Sequence, residues 1–255
     1  MLSVCWLGHS TVVLDLDGVR VLTDPLLQPH SGLLRRRSPV PAAPSWVGTD
    51  AVLLSHLHPD HAELRSLRML PGVPVLTAHE NARWLRRRQI PAAVGLGEDW
   101  TDLGLDGAVQ VRLVPAEHRH RRMPHRPNAA NGHLLRTPTA RVWVAGDTSL
   151  FAAMADLPGL AGGTLDLAVI PIAGWGPRLS EGHLNPEQAA TACARTGARW
   201  ALPVHWGTLH PPLATRLPHG WLDRPGREFA QALARLAPAC RVLRLAPGGA
   251  AAVCP

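Results

Sequence analysis

The stretch VLLSHLHPDHAEL, residues 52–64, decides how this chain is organised. The apolar run from Ala51 to Leu54 reads as a buried strand. It gives way at once to His56, His58, Asp60 and His61, followed by a helical pattern. His56 and His58 are two residues apart, so both imidazoles can face one side of an extended segment. Asp60 and His61 fall on the turn entering the helix and can address a neighbouring position. Such a set suits two adjacent metal ions better than one, because hydrolytic ion pairs sit roughly 3.5–4 Å apart. A capped helix start, with Asp60 as N-cap and Glu63 three residues on, explains Asp60 but none of the histidines.

His-x-His-x-Asp-His is the signature of the metallo-β-lactamase superfamily, and the chain resembles that superfamily. The wording WLGHSTVVLDLDGVRVLTDP, residues 6–25, resembles one branch of it, the L-ascorbate-6-phosphate lactonase-like and N-acyl phosphatidylethanolamine phospholipase D-like proteins. The resemblance runs from Trp6 to about Thr208. It implies a mixed α/β, four-layer αββα sandwich, residues 1–255 being one domain. It also implies a ligand set. His56, His58 and His118 hold one metal, Asp60, His61 and His205 hold a second, and Asp147 bridges them. His118 comes from Pro115-Ala116-Glu117-His118, with His120 as the fallback; the branch usually has Ser or Thr at that position. Asp147 comes from Gly146-Asp147-Thr148 at a strand end, where its bland role would be to cap a helix from Ser149 to Ala155. His205 comes from PVHWGT, residues 203–208.

Three further residues belong to this expectation. Asp24, in Leu-Thr-Asp-Pro, would orient a metal-binding histidine from behind; a turn-former before Pro25 is its plain alternative. His9 would lie beside the site, or be simply a half-buried, hydrogen-bonded histidine. His183 precedes Asn185-Pro-Glu-Gln and would face the substrate and transfer a proton, Asp60 being the other residue assigned to catalysis. Where the branch has Gly-Ala-Tyr this chain has Ala173, Gly174 and Trp175, so the pocket wall is altered. Imidazole and carboxylate without thiolate suit zinc, with manganese or iron as alternatives. Two such ions would bring the pKa of a bridging water towards ~7.

Composition bounds the rest. At 255 residues and 46% apolar, the chain can bury a sizeable core. No run of 18 apolar residues exists, so no membrane span is expected. The first residues, MLSVCWLGHS, lack a charged region and a cleavage site, and Cys5, Cys193, Cys240 and Cys254 lack ligand spacing; both features suggest a cytoplasmic protein with reduced thiols. The net charge of +7 comes from arginine alone. It favours anionic substrates or is a solvated surface.

The expected partner is therefore an anionic small molecule, a phosphodiester or a lactone or ester. A nuclease of the same fold is the first alternative. With two Phe and no Tyr there is little to stack bases on, although nine Trp remain, and no stable nucleic-acid partner is expected. A non-catalytic binding protein is the second alternative, and the complete ligand set argues against it.

Elsewhere the pattern is ordinary. Strands are expected at Ser3–Leu7, Thr11–Leu16 and Val19–Thr23, the last two joined at Asp17-Gly18. Residues 26–46 read as a long loop with an arginine run, Arg35 to Arg37, a candidate lid. Further strands are expected at Val75–Ala78, Val109–Pro115, Gly132–Thr137, Ala140–Ala145, Leu167–Ile172, Trp200–Val204 and Arg241–Leu245. Helices are expected at Glu80–Gln89, from Asn185 to Gly197, and at Arg227–Leu236.

Overall fold

The computed structural model describes the chain apart from residues 105–106, 119–125, 175, 177, 215–219 and 255. His120 and Trp175 lie outside the described residues. The chain opens with an antiparallel meander, β1 (Leu2–Gly8), β2 (Thr11–Leu16) and β3 (Val19–Thr23). Asp17 and Gly18 turn the second hairpin with φ of 47° and 93°, the left-handed geometry that a two-residue hairpin requires. Next come β4 (His30–Ser31), β5 (Leu34–Arg36), β6 (Ala51–Leu53), α1 (Leu64–Arg68), β7 (Val75–Ala78), α2 (His79–Arg87) and β8 (Ala93–Leu96). The second half holds β9 (Thr101–Leu103), β10 (Val109–Pro115), β11 (Asn131–Arg136), β12 (Arg141–Val144), α3 (Leu157–Ala161) and β13 (Leu167–Pro171). It continues with α4 (Pro186–Thr196), β14 (Trp200–Val204), β15 (Leu209–His210), α5 (Arg224–Leu236), β16 (Arg241–Val242) and β17 (Gly249–Val253).

Fourteen of these strands form two seven-stranded sheets, ordered β17-β1-β2-β3-β6-β7-β8 and β16-β14-β13-β12-β11-β10-β9, and β15, β5 and β4 form a small third one. Period-two alternation explains how the two large ones stack. Val12, Leu14 and Leu16 of β2, with Leu167 and Val169 of β13, belong to one apolar cluster shared by both sheets. Their neighbours point outward: Val13 joins a second cluster with Leu67, Ala82 and Leu85 of α1 and α2. Ala168 and Ile170 join a third with Leu157, Ala189, Cys193 and Phe229 of α3, α4 and α5. Three apolar layers between four structural layers make the expected αββα sandwich.

Two local expectations need correction, and one alternative set aside above is not what forms. Residues 26–46 are not an unstructured loop, since β4 and β5 pair there and β5 pairs with β15. Arg36 is not turned to solvent or to a ligand. It donates to the carbonyls of Leu7, Leu26 (3.0 Å) and Pro39 (3.2 Å), and burial pushes its guanidinium down to about 10. Arg37 is paired with Asp223 at 2.6 Å. Second, no helix runs from Ser149 to Ala155; a 3-10 turn spans Ala152–Asp156 with Phe151 at its cap, so Asp147 caps nothing. Third, Glu63 rather than Asp60 caps α1, accepting from the Ser66 backbone N–H at 2.6 Å. The expected cap of α4 is present as a full capping box between Asn185 and Gln188.

Candidate metal centre

Strand direction brings the candidate residues together. β1 and β3 point the same way because each is antiparallel to β2, and β6 is parallel to β3. In the other sheet β10 and β12 are both antiparallel to β11, and β13 and β14 run parallel to β12. One edge of the sandwich therefore collects the C-terminal ends of β1, β3, β6, β10, β12 and β14. These ends deliver His9, Asp24, the His56–His61 segment, His118, Asp147 and His205 respectively. His183 arrives from the segment before α4. Backbone bonds tie the sheets there: the N–H of His205 donates to the carbonyl of His9 at 3.0 Å, and that of Asn131 to Ser55 at 3.0 Å.

The backbone at this edge is strained. Of the six non-glycine residues with positive φ among the described residues, three are site residues: His9 (52°), Asp24 (34°) and His205 (62°). Such geometry costs on the order of 1–3 kcal/mol per residue and persists where its surroundings hold it. Gly146, at φ 63°, has a steric reason too. A Cβ there would lie 2.7 Å from Ser55 Cβ and 2.9 Å from the Asn131 carbonyl oxygen.

Two groups of donors emerge with no residue in common. His56, His58, His118 and Asp147 form one; His9, Asp60, His61 and His205 form the other. Within each, one ligand atom per residue lies within 4.8 Å of all the others. A third group joins His183 to Asp147 and His205. Asp147 Oδ2 sits between the two main groups, 3.2 Å from His61 Nε2, 3.3 Å from His205 Nε2 and 3.8 Å from His56 Nε2. His9 Nε2 donates to Asp60 Oδ2 at 2.9 Å. His183 Nε2 is 3.2 Å from Asp147 Oδ2, so this side chain stands within the cluster rather than apart from it.

Outer contacts fix how the rings face. Nδ1–H of His118 donates to the Gly182 carbonyl at 2.7 Å and that of His205 to the Ala173 carbonyl at 2.8 Å. Asp24 Oδ2 accepts from His61 Nδ1 at 2.8 Å and from Ser55 Oγ at 2.7 Å, and Ser55 Oγ in turn accepts from His56 Nδ1 at 2.9 Å. With Nδ1 carrying the proton, each ring turns an Nε2 lone pair inward. Nε2 of His56, His61 and His205 and Oδ1 of Asp147 are buried without a hydrogen-bond partner among the described residues. Orphaned inward acceptors are rare in folded proteins and fit a cation bound between them. The donors, imidazole and carboxylate without thiolate, suit a divalent ion of the zinc, manganese or iron kind.

Electrostatics agree. Burial disfavours the charged form of His61, yet Asp147, Asp24 and Asp60 outweigh it and lift its pKa well above the ordinary range. Burial likewise opposes ionisation of Asp147, but His205 and His61 hold it well below the usual carboxylate range. His56, buried and facing His61, is pushed well down, and burial with the neighbouring His205 lowers His9 to about 4. The carboxylates of Asp60 and Asp147 are thus held ionised, and His61, whose charged form they favour, must give up its proton when an ion binds.

Ser55 was not singled out from the sequence, although it stands next to His56. Neither was Asn128, whose Oδ1 accepts from the Leu57 N–H at 2.8 Å. The carbonyls of Ala173 and Gly182 leave no side-chain signal at all.

Comparison with known proteins points the same way. A family model described as beta-lactamase superfamily domain matches residues 19–206. An uncharacterized protein of Mycobacterium tuberculosis is 31% identical over 244 residues, 91% of this chain and 64% of its own length. The N-acyl-phosphatidylethanolamine-hydrolyzing phospholipase D 1 of Caenorhabditis elegans is 26% identical over 81% of this chain, again 64% of its own length. This chain therefore spans just under two thirds of those relatives. A UPF0173 metal-dependent hydrolase of Pyrobaculum neutrophilum is 28% identical, with 88% of this chain and 91% of that protein covered. Among solved structures, the metallo hydrolase Igni18 of Ignicoccus hospitalis superposes with a TM-score of 0.70 over 98% of this chain and 97% of its own, at 22% identity. With the family model covering most of the chain and every donor from His56 to His205, this chain belongs to the beta-lactamase superfamily.

Proposed function

We propose that this protein is a binuclear metal-dependent hydrolase acting on an anionic small molecule, a phosphodiester or a lactone or ester. The observation that carries the reading is the pair of separate four-donor groups with Asp147 Oδ2 between them. One tetrahedral ion cannot use so many donors. In this reading His56, His58 and His118 hold one ion, Asp60, His61 and His205 hold the other, and Asp147 touches both. Divalent ions bound there would supply Lewis acidity and a water acidic enough to attack carbonyl carbon or phosphorus at neutral pH.

The chain's own residues do the rest. Asp24 keeps His61 in the right tautomer directly, and His56 through Ser55. His9 holds Asp60 by its Nε2–H at Oδ2, the oxygen that also lies 3.6 Å from His205 Nε2. His183, steered by Ser180 Oγ at 3.0 Å from its Nδ1, presents Nε2 to the cluster, where it can hand a proton to a leaving group. Arg126 donates to the Leu57 carbonyl at 2.7 Å, between His56 and His58, and brings a positive charge to the ligand-bearing turn. That favours an anionic substrate, and the C. elegans phospholipase D keeps phosphodiesters in the class. No helix among the described residues is long and apolar enough to cross a membrane, and the four cysteines are free thiols, which suits the cytoplasm.

The test is elemental analysis after saturation with zinc or manganese, paired with a screen of chromogenic phosphodiesters and lactones. Two ions per chain with turnover of one class is the expected result. One ion or fewer sinks the binuclear reading; two ions without any turnover leave a binding protein.

A further inference from the structure

A sizeable cavity lies away from the histidine cluster. It measures about 950 Å³ and lies where α5 covers the end of the sandwich beside β16 and the residues before β17. None of the cluster residues lines it. Its floor is a pair of stacked indoles, Trp6 and Trp206, with ring centroids 5.7 Å apart and planes 16° from parallel. Its helical wall is the stripe Arg227, Ala230, Gln231 and Ala234, spaced so that all four share one face of α5. Small residues on that stripe keep the groove open. Gly226 lets the helix approach the floor: a Cβ there would sit 2.4 Å from the Trp206 ring. Leu243 and Leu245 form the opposite wall.

The net charge on the rim is positive. Arg37 is neutralised by Asp223 at 2.6 Å. Arg227 and Arg244 also line the cavity, are exposed, and make no ion pair among the described residues. A volume near the top of the range for small-molecule sites, apolar walls and two uncompensated guanidinium groups at the mouth define a ligand chemistry. An alkyl chain would cover the indoles and leucines, and an anionic head would meet the arginines.

We propose that this cavity binds a single-chain amphiphile with an anionic head group, carboxylate or phosphate. It is separate from the metal centre but shares backbone with it. Trp6 Nε1 donates to the His9 carbonyl at 2.9 Å, and Trp206 directly follows His205.

Titration calorimetry below the micelle concentration tests the proposal with dodecanoate, dodecyl phosphate, dodecanol and dodecylamine. The full chain is compared with Ala230→Trp, which fills the groove, and with the exposed-rim variant Arg227→Glu/Arg244→Glu. One dodecanoate or dodecyl phosphate should bind per chain, at least tenfold more weakly in the charge-reversed variant and not at all in Ala230→Trp. Preference between the two heads identifies a fatty acid or a phosphate-bearing lipid as the source. Equal binding of dodecylamine, or no saturable binding of either anion, overturns the proposal. So does a dimer in sedimentation that Ala230→Trp dissolves, because the occupant is then a second copy of this chain. Should Ala230→Trp fail to melt cooperatively, the charge-reversed variant decides alone.

Discussion

Asp24→Asn exchanges one oxygen for an NH₂ group at the point where both donor groups are held. The asparagine carbonyl can still accept from the Ser55 backbone N–H, as Asp24 Oδ1 does at 2.8 Å. Its NH₂ then replaces Oδ2, 2.7 Å from Ser55 Oγ and 2.8 Å from His61 Nδ1. The Ser55 hydroxyl can rotate and accept. His61 Nδ1–H cannot, so donor meets donor. Either the ring swings away, or its proton moves to Nε2 and occupies the lone pair that faces the cluster. Flipping the amide only moves the same conflict to the Ser55 N–H. Losing a hydrogen bond to a charged group costs about 1.5–3 kcal/mol. Through the affinity relation that becomes about 10- to 150-fold weaker binding of the ion at His61. This agrees with the ~10–100-fold typical of partners that orient a ligand from behind. Zinc competition against a chromogenic chelator reads the affinity, and a melt of the metal-free variant checks that it folds. Asp24→Asn should still bind two ions, one of them weakly. Unchanged affinity at both positions would refute the reasoning, as would complete loss of both ions.

Asp147→Ala should lose both ions and all activity, since Oδ2 stands between the donor groups; elemental analysis that still finds one tightly held ion would show that it does not bridge. His183→Ala should keep both ions and lower turnover by perhaps 10²–10⁴-fold, less for substrates with good leaving groups; loss of an ion would make His183 a ligand. His133 is buried, and burial, outweighing the opposing pull of Asp24 and the Leu76 carbonyl, lowers its pKa from 6.5 to about 4. The unfolded chain therefore binds the extra proton between those values, and stability present above pH 6.5 is lost as pH falls towards 4, by about 3 kcal/mol in all. Urea melts at pH 7.5 and pH 4.5 should show a smaller loss for His133→Leu than for the parent, and equal losses would contradict this. Gly146→Ala must adopt φ 63° and crowd Ser55 and the Asn131 carbonyl, so its Tm should drop by more than the ~1–2 kcal/mol left-handed penalty alone would give; an unchanged Tm would show that the turn relaxes freely.

How much of this was legible from residues alone follows from locality. Val109–Pro115 alternates cleanly, so its strand was read to the residue. The α4 cap was equally local, because Asn185, Pro186 and Gln188 lie within one turn. The candidate donors of residues 56–61 stood out because three histidines and an aspartate crowd a strand end. What failed depends on distant partners. β17, Gly-Ala-Ala-Ala-Val, has almost no β-forming residues and exists because β1 supplies an edge, Leu2 to Trp6 facing Val253 to Gly249. β4, β5 and β15 are short pieces that pair with one another across the fold. Arg36 reads as one of three surface arginines until the carbonyls of Leu7 and Leu26 take it inside. His9 was left between two readings because nothing near it in sequence reveals that Asp60 waits 2.9 Å away.

The two donor groups also divide in another way. Each draws on both sheets: His56 and His58 come from the end of β6, but His118 and Asp147 from β10 and β12; His9, Asp60 and His61 come from the first sheet, but His205 from the second. An ion seated in either group would therefore act as a rivet through the sandwich, joining its halves where strain is concentrated. Ligand present at 100 times its dissociation constant adds about 2.7 kcal/mol to folding stability. Here that increment falls on the seam between the halves, so stripping the ions should loosen this edge first, in hydrogen exchange of β6 and β12, while the far ends of the same strands stay protected.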